Sequence, residues 1–511
     1  MTWWRAARDP ERIERVGVVR PATTHTHALF ADALAERSVV AYRALTLPPA
    51  RYYLRDPPAV RWPHVFRPFQ REGIAALLGR DTLLLADDMG LGKTVQAVAA
   101  LRVLFRRRDI EDALIVGPAA IMTQWSRTLR AWAPELRISL IRGSAAERAW
   151  QWRAPAHVFL TSYETLRSDL TDNPHSPPRR RVWGVVALDE AQKIKNRDTD
   201  LSRACKRIPR QRAWALTGTP LENRLDDLAS ICEFLTPLRD GMAPPRFEPD
   251  DRLLAVHASV QLRRRKADVL PELPPRIEID LPVGLRPEQR RSYERARDEG
   301  LLWLRRLGRT VTVTHVLELI LRLKQVCNFD PETGASAKLD DLEDRLETLR
   351  AAGYKTLVFS QFVDDSGIAK LQARLARFAP ITYTGALTIA ERDHAIRRFR
   401  EGPPDTFMIV SLRAGGFGLD LPEASYVFHF DRWWNPSVER QAEDRAHRLG
   451  RTGPVTAYRY ITEHTIEERI DQLIREKQAL FDSVVDRVSL DPQRVFTADE
   501  LFGLLGLSPP A

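Results

Sequence analysis

The apolar positions of this chain gather in two sets of short runs, separated by a long polar and helical stretch. The first set spans about residues 56–238. Its runs are Thr82-Leu83-Leu84-Leu85, Ala113-Leu114-Ile115-Val116, His157-Val158-Phe159-Leu160, Val185-Val186-Ala187-Leu188 and Ala213-Trp214-Ala215-Leu216. Each predicts a strand, and stretches of helical character, such as Val95 to Leu101, lie between them. Strands alternating with helices predict a parallel α/β domain. The second set starts at Lys355-Thr356-Leu357-Val358-Phe359-Ser360. It continues through Phe407-Met408-Ile409-Val410-Ser411 and Tyr426-Val427-Phe428-His429-Phe430. Between the sets, Asp240 to Pro249 is rich in proline and charge, Arg263-Arg264-Arg265-Lys266 is basic, and a helical region runs from about Pro287 to Arg350. Near the end, Ile470, Leu473, Ile474, Ala479 and Leu480 recur at helical spacing and predict a packing helix over about Ile466 to Val485. Leu501-Phe502-Gly503-Leu504-Leu505 and the Trp3-Trp4 segment are expected to dock on the body of the protein.

This pattern divides the 511 residues into an extension (1–55), an α/β unit (56–238), a linker with helical protrusions (239–350), a second α/β unit (351–482) and a helical tail (483–511). Each strand of the first unit ends in a polar or glycine-containing turn, where open parallel sheets place ligands. The turn after the first strand reads Ala86-Asp87-Asp88-Met89-Gly90-Leu91-Gly92-Lys93-Thr94 and leads into a helix. A strand, a glycine-rich turn ending in Gly-Lys-Thr and a helix form the arrangement that cradles nucleotide phosphates. Lys93 would neutralise the β- and γ-phosphates and Thr94 would hold Mg²⁺. Asp87 stands where the usual pattern opens with glycine.

Asp189-Glu190 follows the strand Val185 to Leu188. There one carboxylate can hold Mg²⁺ through water and its neighbour can deprotonate an attacking water. Thr217-Gly218-Thr219-Pro220 also follows a strand and could sense the γ-phosphate, or be a plain turn. Gln441-Ala442-Glu443-Asp444-Arg445-Ala446-His447-Arg448 is expected on a helix, with Arg445 and Arg448 on one face. Two guanidiniums so placed could act as arginine fingers, or form a solvated charged face. Ser411 to Asp420 is a glycine-rich turn that can bring backbone close to a phosphate of ATP or DNA.

Composition changes this picture in one respect. Charged residues at 29% and hydrophobic ones at 44% are ordinary, but the net charge of +10 favours a polyanionic partner, most commonly nucleic acid. Cys205, Cys232 and Cys327 are scattered, without disulfide or metal spacing, which fits a reducing cytoplasm. No histidine pattern has zinc spacing, and His25/His27 reads as solvated loop. Neither a membrane span nor a signal peptide is expected.

Taken in order, these blocks resemble the ATPase core of the SWI/SNF-type remodellers within helicase superfamily two. Phe66 to Gly73 resembles the motif whose glutamine, here Gln70, reads adenine. Asp87 to Thr94 resembles the family's own phosphate loop, with an acidic first residue; Asp88, Met89, Gly90, Leu91, Gly92, Lys93 and Thr94 would touch ATP. Ile115 to Pro118 and Thr161-Ser162-Tyr163 resemble DNA-facing motifs of the first lobe, and Thr217 to Asn223 resembles the coupling motif. Leu262 to Lys266, Leu273 to Arg276 and Leu285 to Gln289 resemble the family's linker. Trp434-Asn435-Pro436 and Asp444 to Arg448 resemble its second lobe.

The resemblance implies two RecA-like P-loop lobes with parallel sheets, helical protrusions between them and a C-terminal helical brace. It implies Glu190, Gln441, Arg445 and Arg448 as catalytic residues, with Mg²⁺ on Thr94 and Asp189. DNA would meet Pro118, Thr161, Ser162, Tyr163, Ser360, Gln361, Arg413, Gly415 and Gly416. It implies a cytoplasmic, nucleoid-associated ATPase that uses ATP and Mg²⁺ to move along double-stranded DNA, remodelling or displacing bound proteins. The alternatives are a strand-separating helicase or a motor subunit, with a protein partner, in a repair, restriction or phage-defence complex, a non-hydrolysing ATP-gated DNA-binding scaffold, and RNA in place of DNA. Gln192, Asp420 and Arg451 depart from residues usual in the family, which are His, Asn and Gln.

Overall fold

The computed structural model describes residues 61–171, 177–179, 181–218, 225–239, 242–248, 250–415, 419–448, 451, 453–476 and 497–509. The expectations for Trp3, Trp4, His25, His27, Thr219 and Gly416, and for the helix beyond residue 476, lie outside these residues.

The first lobe is built on seven parallel strands among the described residues. They are β1 (Thr82–Leu85), β2 (Ala113–Gly117), β3 (Ile138–Leu140), β4 (Val158–Ser162), β5 (Trp183–Asp189), β6 (Arg210–Leu216) and β7 (Gln261–Leu262), in the order β3-β4-β2-β5-β6-β1-β7. The continuous apolar runs are the interior strands, because helices cover both sheet faces and leave no side for polar residues. β2, β4 and β5 are buried along their whole length.

The order matters for chemistry. β6 lies between β5 and β1, with Asp189 paired to Leu216 and Leu85 paired to the same Leu216. The turns that follow β1, β5 and β6 therefore emerge side by side.

The second lobe has six parallel strands, in the order β10-β11-β9-β12-β13-β8. They are β8 (Arg276–Val283), β9 (Thr356–Ser360), β10 (Ile381–Tyr383), β11 (Phe407–Ser411), β12 (Tyr426–His429) and β13 (Val455–Thr462). Ser360 is level with Ser411, and Phe359 with His429.

Both sheets reach into the span read as linker. Leu84 and Leu85 pair with Gln261 and Leu262, while Arg276 to Val283 pair with Val455 to Thr462.

The helices Pro287–Leu307 and Val313–Asn328 pack on each other. Gly300 allows the close approach, since a Cβ there would stand 2.2 Å from Leu319 Cδ1. The second of these helices also packs on Ile466–Glu476 and on Ala498–Gly503. Leu501, Phe502, Leu504 and Leu505 enter the same apolar core as Leu323 and Ile470. A buried ion pair, Lys338 to Glu467 at 2.7 Å, fastens the helix Ala337–Ala351 to this lobe. Among the described residues, no helix is long and apolar enough to cross a membrane.

Candidate active site

The phosphate loop leaves β1 and closes through Gly90 and Gly92, whose φ angles of +85° and +78° suit only glycine without strain. The helix Lys93–Arg107 starts directly after it, so its N-terminal N–H groups and dipole face the loop. Lys93 Nζ donates to the carbonyls of Asp87 at 2.6 Å and Asp88 at 3.2 Å. Burial lowers its pKa, while Asp87, Glu190, Asp189 and Asp88 pull it back up.

Asp87, in the place where glycine is usual, anchors the loop. Its carboxylate accepts Arg264 Nε at 2.9 Å and Nη2 at 2.6 Å, and Gln96 Nε2 at 3.2 Å. Gln70 caps its own helix by accepting the Arg67 N–H at 3.1 Å, and its amide points at the Leu91 carbonyl from 3.5 Å.

Asp189 ends β5 and is 8% exposed. Its Oδ2 accepts Trp125 Nε1 at 2.7 Å and its Oδ1 accepts the Glu190 N–H at 2.9 Å. Burial, followed by the charge of Glu190, pushes the Asp189 carboxyl up to about 6. Two carboxylates crowded against one lysine suit a dication beside bound phosphates, which Mg²⁺ prefers to an all-protein cage. Asp189, with the Thr94 hydroxyl one residue into the helix, supplies the donor types that such an ion takes.

Glu190 sits at φ +53°, a left-handed conformation uncommon for a non-glycine residue. Its Oε2 accepts Gln192 Nε2 at 2.6 Å, and Gln192 Oε1 in turn accepts the Thr217 hydroxyl at 2.9 Å. Gln192 thus donates to the acidic pair and accepts from the turn after β6. Gly218 lies against the loop, since a Cβ there would meet Met89 Cγ at 2.5 Å and Lys93 Nζ at 3.3 Å.

The second lobe delivers its arginines differently from the expectation. The helix Pro436–Glu443 ends before them, so Arg445 and Arg448 stand in the turns that follow and not on one helix face. Glu443, the last residue of that helix, is fixed by His429 at 3.2 Å, Arg276 at 3.2 Å and Arg459 at 3.2 Å, and the Arg445 carbonyl beyond it accepts the Leu421 N–H at 3.0 Å. Burial and then Arg448 lower the Arg445 pKa, and Glu190 opposes them across the cleft. Arg448 pairs with Asp420 at 3.1 Å, and its Cγ lies 3.4 Å from where a Gly90 Cβ would stand. The departure at Asp420 thus supplies a charged partner for Arg448. Arg451 is spent on carbonyls, among them that of Pro422 at 2.8 Å. Gln441 is buried and lines a cavity of about 430 Å³ with Asp88, Met89, Gly218, Lys266 and Asp444.

The residues expected at DNA divide. Thr161 and Tyr163 are buried in the first lobe, so their side chains do not face a polymer. Tyr163 donates its hydroxyl to the Asp189 carbonyl at 2.9 Å and so shapes the acidic turn. Ser162 Oγ accepts the Thr165 N–H at 3.1 Å, capping a helix, and Pro118 is likewise buried at a helix start. Ser360 donates to Asp431 Oδ2 at 2.5 Å and the Gln361 N–H donates to Asp431 Oδ1 at 3.0 Å, so one buried carboxylate organises that turn. Arg413 and Gly415 share the turn Leu412–Gly415, where a Cβ on Gly415 would strike Phe359 Cε1 at 2.6 Å. Trp125 and Gln96 belong to no motif, and Arg264 stands out in sequence only as part of a basic run, because Trp125 and Asp189, and Asp87 and Arg264, meet only through the fold.

A model of the SNF2-related domain matches residues 69–243, and one of the helicase conserved C-terminal domain matches residues 337–450. The uncharacterized ATP-dependent helicase MG018 of Mycoplasma genitalium is 32% identical over 438 residues, covering 81% of this chain and 42% of that protein. YwqA of Bacillus subtilis, described as a candidate ATP-dependent helicase/translocase, is 34% identical over 453 residues, covering 82% of this chain and 48% of its own length. The chain thus spans less than half the length of these relatives. The SWI2/SNF2 ATPase core of Sulfolobus solfataricus, solved in complex with dsDNA, is 29% identical, covers 88% of this chain and 99% of that one, and superposes with a TM-score of 0.40.

Proposed function

The chain belongs to the SNF2-related, helicase-like ATP-dependent proteins, and we propose that it hydrolyses ATP between its lobes to move along double-stranded DNA. One observation carries this reading: Arg448 of the second lobe stands against the phosphate loop of the first. Lys93 would exchange its two carbonyl partners for phosphate oxygens. Thr94 and Asp189 would hold Mg²⁺, which supplies charge neutralisation on the phosphates when bound. Glu190, oriented by Gln192, would take the proton as water attacks the γ-phosphorus and the bond to ADP breaks. Arg445 and Arg448 would meet the charge that develops there. Gln192 and Thr217 would carry the state of the acidic pair into the turn after β6.

The polymer is proposed as duplex DNA. The net charge of +10 favours a polyanion, the description of YwqA includes translocase, and the resemblance to SWI/SNF-type remodellers implies travel on duplex. Displacement of bound proteins would follow from that travel. The relatives described as helicases favour strand separation as the second reading.

The test is ATP hydrolysis with and without duplex DNA across salt, beside Glu190→Gln. Stimulation that fades with salt and is absent in the variant is expected, because phosphate contacts are salt-dependent. An unstimulated wild type overturns the DNA-dependent reading. A strand-displacement assay on a forked duplex separates the two modes of travel.

A further inference from the structure

The basic run Arg263 to Lys266 takes no step in the hydrolysis proposed above, although Arg264 anchors the phosphate loop and Lys266 lines the cavity. Strand β7 ends in the first sheet at Leu262, and β8 begins in the second at Arg276. Residues 263–275 are therefore the covalent link between the sheets, and they pass directly over the phosphate loop. The Ala86 N–H donates to the Leu262 carbonyl at 2.8 Å and the Asp88 N–H to the Arg264 carbonyl at 3.0 Å. Arg264 is fixed on Asp87 and Gln96, so it belongs to the first lobe.

Lys266 is bound at both ends. Its N–H donates to Asp88 Oδ2 at 2.9 Å, inside the phosphate loop. Its Nζ donates to Asp444 Oδ1 at 2.6 Å and to the His447 carbonyl at 3.1 Å, in the second lobe. Asp444 directly precedes Arg445, and His447 directly precedes Arg448. The side chains of Lys266 and Asp444 are 12% and 19% exposed, so water screens this pair little. Arg276 adds a weaker tie, 3.8 Å from the same Asp444 oxygen. The arginines stand in the turns that follow the helix, tied to its end by the Ala446 and His447 N–H groups on the Glu443 carbonyl, and Lys266 grips that segment from the link between the sheets at two points.

We infer that Lys266 is a positioning residue: it sets the distance and register of Arg445 and Arg448 against the phosphate loop. This rests on the ATPase reading. Its removal leaves the nucleotide-binding groups of the first lobe in place but lets the arginine segment drift, and a misplacement of about 1 Å can cost on the order of 10²-fold in rate. A nucleotide-contact role would instead weaken binding.

The test compares wild type, Lys266→Ala, Lys266→Arg, Asp444→Asn and the double variant K266A/D444N. It measures DNA-stimulated ATP turnover, ADP affinity and the thermal midpoint. Lys266→Ala is expected to lower kcat roughly 10- to 100-fold with ADP affinity within about threefold of wild type. Lys266→Arg is expected to recover most of the rate. The double variant is expected to be no slower than the slower single one, because both break one interaction. Should Lys266→Ala fail to fold, Asp444→Asn weakens the same bond from the other side by removing its charge and is expected to lower kcat in the same direction. A wild-type kcat in Lys266→Ala, multiplying losses in the double variant, or an unchanged kcat with weakened ADP binding each overturns the role. A wild type with no ATPase activity overturns the functional reading and this role together. An active wild type with an equally active Lys266→Ala overturns the role alone.

Discussion

The two lobes share one plan, yet the turns at their strand ends are balanced in opposite ways. In the first lobe, Asp189 is buried beside a second carboxylate, and that like charge is the next largest influence on it after burial. In the second lobe, Asp431 is buried just as deeply, but Lys324 counters it, and Ser360, Gln361 and the Asn328 amide (3.2 Å) all donate to it. Burial raises both carboxyls. Trp125, Lys93 and the Glu190 N–H oppose that rise at Asp189, as Lys324 and the donors do at Asp431, but only Asp189 has a like charge among its largest influences. Two carboxylates beside one lysine leave a surplus of negative charge at the first edge that a bound cation would meet, whereas the second edge is balanced by its own lysine and donors.

The sharpest way to break this contrast is Lys93→Ala. It is expected to abolish turnover while leaving the thermal midpoint near wild type, and DNA-stimulated hydrolysis retained in that variant would sink the site assignment. Arg448→Ala comes next, with a loss of about 10³-fold or more in kcat at unchanged stability if it acts as a finger. A loss below tenfold would return Arg448 to its bond with Asp420.

On the other side, Lys338→Ala is expected to act through stability. It strands Glu467 in the interior and frees the Asn328 Oδ1 that Lys338 holds at 3.1 Å. Urea unfolding should show a loss of about 3–5 kcal/mol, typical for a broken buried pair. A loss under about 1 kcal/mol, as exposed pairs give, would place this network at the surface in energetic terms.

The smallest expected effect is in pH. Burial would raise Glu443, but the His429 hydrogen bond and the charges of Arg276 and Arg459 outweigh it and hold it down to about 2. A depressed carboxyl contributes stability that is present above its unfolded value and is lost as pH falls through its folded one. Wild type should therefore lose stability between about pH 4.5 and 2 more steeply than Glu443→Gln. Parallel curves would refute the depressed value.

Reading the sequence located the strands that matter to chemistry. β1, β2, β4, β5, β6, β9, β11 and β12 are runs that must be buried on both faces, and such runs carry their own signature. β8 falls in the span expected as linker, because Arg276-Ile277-Glu278-Ile279-Asp280 alternates charge with apolar residues, as an edge strand with one wet face does. β7 has two residues and β3 and β10 three each, too few for any period. The fold brings Lys93, Asp189 and Glu190 together, and their grouping is legible in sequence because each sits at a fixed offset from a strand end. The side chains of Tyr163 and Thr161 are buried, which their positions in a motif do not reveal, because a motif does not say which way a side chain points.

By itself, then, the sequence determined the parallel sheets, the phosphate loop, the acidic pair and the presence of two arginines, since all are local patterns of burial, glycine and charge. Only the tertiary structure decided that Arg264 anchors Asp87, that Trp125 pins Asp189, that the arginines leave their helix and that Lys266 joins them to the loop. Those outcomes depend on which strand lies beside which. Hydrogen bonds and ion pairs form wherever packing brings partners within about 3 Å, and distance along the chain carries no record of that.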